Sequence, residues 1–94
     1  MQTLVFTRHA QTRAQQRGIQ RDVAETLLTY GTARVRHDAE VVFMDKAARA
    51  AARKAMGEKA YAKLADRLDC YLVVAADGAI VTCAHRTERL RFKH

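Results

Sequence analysis

Residues 70–84 read CYLVVAADGAIVTCA, and this stretch decides what kind of molecule the chain builds. β-Branched and aromatic residues make Leu68 to Ala76 the strongest predicted strand. Asp77-Gly78 is a two-residue hairpin signal, since Gly accepts the positive φ that such turns demand. Ala79 to Ala84 then runs back as AIVTCA. The run is nearly continuous in apolar residues rather than alternating, which predicts central strands covered on at least one face.

Working outward, Lys46 to Asp66 is rich in Ala, Lys and Arg and predicts helix. Asp45 is placed to cap it, and Gly57 divides it into two helices with Glu58 opening the second. Ala48, Ala52, Ala55 and Leu64 are the expected core positions, with the cations forming a solvated face. Thr32 to Asp45 predicts two strands or one bent strand. Ala33, Val35 and His37 alternate with Thr32, Arg34 and Arg36, a turn falls at residues 37–40, and Val41 to Met44 resumes. Ile19 to Tyr30 predicts a helix with Val23, Leu27 and Tyr30 on its apolar face, ended by Gly31. Residues 1–6 are short and apolar, fit for an edge strand or for packing against the first helix. At the other end, Leu90 and Phe92 alternate with Arg89, Arg91 and Lys93, the pattern of a charged edge strand. Helices first, then a mainly antiparallel sheet interrupted by an Ala-rich helical segment, make an α+β protein of a single domain, residues 1–94.

The chain has 94 residues, enough for one core, and 49% of them are hydrophobic. Its charge is unusual. Seventeen Lys and Arg face ten Asp and Glu, for a net charge of +7, and twelve of the seventeen are Arg. Such a field suits a polyanion, and the Arg bias favours planar contacts to phosphate or carboxylate. Cys70 and Cys83 lie in strand-like segments with no Cys/His spacing for zinc, so two reduced thiols are expected, with a strand-to-strand disulfide as the alternative. No metal or other cofactor is expected. No apolar run approaches a membrane span, and no signal core opens the chain, so a cytoplasmic protein without membrane contact is expected.

The segment Thr7 to Ile19, TRHAQTRAQQRGI, predicts a short helix with Thr7 as N-cap and Gly18 as left-handed C-cap. Its His9, Arg13 and Arg17 fall four apart and share a face. A second His/Arg group, His85, Arg86, Arg89 and Arg91, follows the hairpin. If the first helix crosses the mouth of the sheet, the two groups meet. Imidazoles among guanidinium groups suit metal-independent RNA cleavage. His9 and His85 would serve as base and acid, in either assignment, with Arg13, Arg17, Arg86 and Arg89 on phosphate. A structural reading competes at every position. His9 would anchor the helix, Arg13 and Arg17 would pair with acids such as Asp22 or Glu25, and His85 would be an ordinary strand-end residue. Tyr61 and Tyr71 are expected in the core.

The residues His9, Ala10, Arg13, Arg17, Gly18 and Ile19 resemble the HAxxRxxxRGI signature of the domain-of-unknown-function family 4258. The run Ile80-Val81-Thr82-Cys83-Ala84-His85-Arg86 is similar to that family's closing IVTxxHR pattern. The likeness covers both ends of the chain, and the segment from Lys46 to Asp66 stands as an elaboration. The order of elements is similar to the RelE and barnase-like small ribonucleases and toxins. That resemblance implies a ribonuclease or toxin whose partners are RNA and an acidic antitoxin, without fixing catalytic residues. A non-catalytic nucleic-acid-binding module and a structural or regulatory protein docking an acidic partner are the alternatives.

Overall fold

A computed structural model describes residues 4–86 of the chain. Two helices come first, α1 (Arg8–Arg17) and α2 (Arg21–Tyr30). A hairpin of β1 (Thr32–Arg36) and β2 (Ala39–Phe43) follows, then α3 (Lys46–Met56), α4 (Glu58–Leu64) and a single 3₁₀ turn (Ala65–Arg67). The strands β3 (Cys70–Ala75) and β4 (Ile80–His85) complete an antiparallel sheet of order β1-β2-β3-β4. The predicted α+β class is the observed one. The expected C-terminal edge strand, with Arg89, Arg91 and Lys93, lies outside the described residues.

Local chemistry accounts for the helix ends. Asp45 caps α3 by accepting from Ala48 N–H at 2.8 Å, and its other oxygen accepts from the Thr32 hydroxyl at 2.7 Å. These two bonds hold the Asp45 carboxyl below the usual carboxylate range. Gly57, at φ 90°, separates α3 from α4 as expected. Gly31 serves a different purpose, close approach: a Cβ there would stand 2.3 Å from the Leu27 carbonyl and 2.9 Å from Val42. Only glycine lets α2 turn so tightly into β1.

Register decides which face of the sheet is covered. Val42, Leu72 and Cys83 stand opposite one another on adjacent strands. Together with Cys70 and Ile80 they join Ala10 of α1, Val23, Ala24 and Leu27 of α2, Ala48 and Ala52 of α3 and Leu64 of α4 in one core. The other row, Phe43, Tyr71 and Ala84, faces the opposite way, and Phe43 is buried outside that core. The molecule is thus a helical layer on one face of a sheet.

Several sequence-based expectations need correction. The β3–β4 connection is not a two-residue turn on Asp77-Gly78 but a four-residue loop, residues 76–79, with Ala75 N–H donating to Ala79 O at 2.9 Å. The Asp77 carboxylate accepts from Ala79 N–H and Gly78 takes φ 90°, so both residues still turn the chain. A register shift between Val73 and Val74 absorbs the change. The first turn is shorter than expected, since β2 begins at Ala39. Ala55 is exposed, on the outer face of α3, and Tyr71 is half-buried on the sheet face away from the helices. Tyr61 does pack against the core.

Candidate nucleic-acid interface

The first helix is fixed at both ends to β4. Thr7 N–H donates to Ile80 O at 2.9 Å and Ile80 N–H donates to Val5 O at 2.8 Å, a short parallel bridge outside β4. The Thr7 hydroxyl accepts from Ala10 N–H at 3.2 Å, the predicted N-cap, and donates to Val81 O at 3.3 Å. At the far end Gly18 takes φ 67°. Ile19 N–H then reaches Ala14 O at 2.9 Å and Gly18 N–H reaches Gln15 O at 3.4 Å, a Schellman closure. That closure leaves the Arg17 carbonyl without an intrahelical donor. His85 supplies one: its Nε2 lies 2.5 Å from Arg17 O. A carbonyl only accepts, so Nε2 carries the proton in this bond.

The helix therefore runs along β4 in the same direction, rather than across the mouth of the sheet. His9 stands near the start of β4 and His85 at its end. The eight residues from His9 to Arg17 correspond to roughly 12 Å of helix rise. The expected meeting of the two groups comes down to the His85 ring against the backbone carbonyl of Arg17, and His9 lies at the other end of the helix. Arg86 turns the other way. It sits after His85, whose strand partner Cys70 faces the core, so Arg86 belongs to the face turned away from the helices. Its guanidinium lies over the Phe43 ring at 5.3 Å and donates to Met44 O at 3.3 Å. Arg89, expected on phosphate, lies outside the described residues.

What remains on α1 is a positive ridge. His9 and Arg17 are exposed and Arg13 is half-buried, with exposed Arg8 beside them. Arg13 Nε donates to His9 Nε2 at 3.5 Å, a long contact that leaves this nitrogen as the acceptor. The described ion pairs are Arg21–Glu25, Arg49–Asp69 and Arg53–Glu58. Among the described residues no carboxylate pairs with Arg8, Arg13 or Arg17. Asp22, a predicted partner, instead accepts from Val23 N–H at 2.8 Å, and Glu25 takes Arg21.

Both cysteines are free and buried beneath this surface. Burial pushes the Cys70 thiol up to about 12, reinforced by Cys83 and Asp69 and opposed by Arg49. Cys83, whose thiol approaches Ala10 O, is also pushed up by burial, with Arg17 opposing. Neither is a nucleophile near neutral pH. Two exposed cations that sequence reasoning left unassigned, Arg34 and Arg36, line β1. Their signal was the alternation along that strand. Comparison with known protein families, curated proteins and solved structures finds no match to this chain.

Proposed function

We propose that the chain binds RNA through α1 and cleaves it without a metal ion, as a small ribonuclease or toxin. The observation that carries this reading is the ridge of His9, Arg13 and Arg17, whose guanidinium groups no described carboxylate neutralises. Such groups are available for bidentate contacts to phosphate, and a net charge of +7 draws a polyanion toward them. In the proposed step Arg13 turns from His9 to the phosphate, and the freed His9 Nε2 takes the proton of a ribose 2′-hydroxyl. The 2′-oxygen bonds to phosphorus, the bond from phosphorus to the 5′-oxygen breaks, and that oxygen takes a proton from water. Arg13, already beside His9, meets the negative charge that gathers on the phosphoryl oxygens. The resemblance of HAxxRxxxRGI to family 4258, and of the element order to RelE and barnase-like toxins, supports the same reading. It also implies an acidic antitoxin as protein partner.

One observation favours a second reading, a non-catalytic RNA-binding module. His85 is engaged at the Arg17 carbonyl, so among the described residues no second imidazole is placed to face His9. Incubating the protein with single-stranded RNA in EDTA separates the two. Products ending in 2′,3′-cyclic phosphate, lost in His9→Ala and kept in His85→Ala, are the expected result. Intact RNA bound with a steep salt dependence that survives His9→Ala would establish the module instead. Failure both to bind and to cleave would remove both readings.

A further inference from the structure

The strand β1 is an edge of the sheet, and four of its five residues are exposed. Edge strands present unpaired N–H and C=O groups to any extended segment that can reach them. Here the two flanks of the edge differ. Register places Arg34 and Arg36 on the face that carries Val41 and Ala39, while Ala33 and Val35 share the face of Val42 and Glu40. Val35 is 81% exposed, the most exposed large apolar side chain among the described residues. Beside it a hollow of about 300 Å³ opens between the tips of the two hairpins, with Ala39, Val74 and Ala75 on its walls and the carboxylates Asp38 and Glu40 at the turn, so an acidic occupant is directed to the Arg34 and Arg36 face rather than into the hollow.

We infer that β1 receives an acidic, extended peptide segment of another protein, which adds to the sheet as a fifth strand. Paired strands set each residue opposite one on the same face. The added strand would place its carboxylates against Arg34 and Arg36 and its apolar side chains over Ala33 and Val35. Neither arginine forms an ion pair among the described residues, although the charge of Arg34 reaches Asp45 and helps hold that carboxyl down. The same parity disfavours a second copy of this chain as the occupant. Pairing β1 with itself sets Arg34 and Arg36 against arginine or Thr32, and like charges directly opposite are destabilising. An acidic strand turns that repulsion into charge-assisted contact. This surface is separate from the α1 ridge and does not depend on RNA cleavage.

The test uses the whole chain and a short synthetic peptide of alternating Glu and Val, followed by backbone NMR. Shifts centred on residues 32–36, with slowed exchange at alternate β1 amides, are expected. A peptide of alternating Lys and Val is expected to cause none. Arg34 and Arg36 are exposed, and the double variant R34E/R36E, with its fold and the α3 cap beside Asp45 checked by circular dichroism and amide shifts, should weaken binding about tenfold or more. Methylating alternate peptide nitrogens in one phase should abolish binding, and in the other phase leave it. Shifts centred on α1, no loss in the double variant, or equal binding by both methylated peptides would overturn the inference. So would a finding that R34E/R36E weakens RNA binding while the peptide causes no shifts.

Discussion

The two outer strands of the sheet are treated in opposite ways. Outside β4 the segment from Val5 to Thr7 supplies a short bridge, and α1 lies along the strand with Ala10 fully buried over Cys83. Outside β1 no described residue pairs with the strand, and its side chains stand exposed on both faces. The sheltered edge fixes its polar groups: Thr7, His85 and the Arg17 carbonyl are all satisfied there. At the open edge Arg34 and Arg36 hold no described ion pair. Packing is thus concentrated at the β4 edge, whose covering helix also carries the ridge proposed for RNA, while the β1 edge leaves a strand and its two arginines open. The sharpest attack on this contrast is a matched truncation. Ile80, fully buried, should lose about 2–5 kcal/mol of stability on mutation to Ala, while Val35→Ala should change it by less than about 0.5 kcal/mol. Urea unfolding followed by circular dichroism measures both, and equal losses would erase the distinction between the edges.

The open edge is not unsupported at its base. Asp45 joins the Thr32 hydroxyl at the start of β1 to the first turn of α3. Asp45→Ala removes both bonds and should cost about 1–2 kcal/mol, the range for losing an N-cap. The sign of the pH effect follows from the shift. Because the folded carboxyl sits below its ordinary value, its contribution is present above about pH 4, where the unfolded side chain ionises, and is lost as pH falls through the folded value. Asp45→Asn keeps a capping oxygen but does not titrate. Its stability relative to the native protein should therefore improve as the solution is acidified, which thermal melts across the acid range would record.

Local rules made much of this fold legible. Thr7, Gly18, Asp45 and Gly57 each act within one helical turn, so sequence spacing suffices to read them. The strands of the final hairpin are equally plain, because a run of β-branched and aromatic residues broken by Asp77-Gly78 suits a covered, pleated surface and little else. What spacing could not convey was tertiary placement. The direction of α1 along β4 follows from the Val5–Ile80 and Thr7–Ile80 bonds, which join residues far apart in sequence. That direction alone separates His9 from His85. The parity of β4 decides that His85 faces the helices while Arg86 faces away, and no motif encodes which face the helices choose. Ala55 was misplaced for a related reason: a helix rich in alanine carries small residues on every side and marks its buried face weakly.

The smallest effect tests whether His85 belongs to the sheltered edge or to the chemistry. Its imidazole closes the end of α1 that the Schellman turn leaves open, by donating to the Arg17 carbonyl. Loss of one such bond at an exposed position should cost about 0.5–1.5 kcal/mol, since water reaches the carbonyl once the ring is gone. His85→Ala should therefore lower the melting temperature modestly and speed amide exchange at the end of α1. RNA binding and any cleavage should be retained at temperatures where the variant is folded. His85→Gln, whose amide nitrogen can donate in place of Nε2, should recover part of the stability. If His85→Ala instead abolished cleavage at full stability, the imidazole would have a chemical role that its place beside Arg17 does not explain.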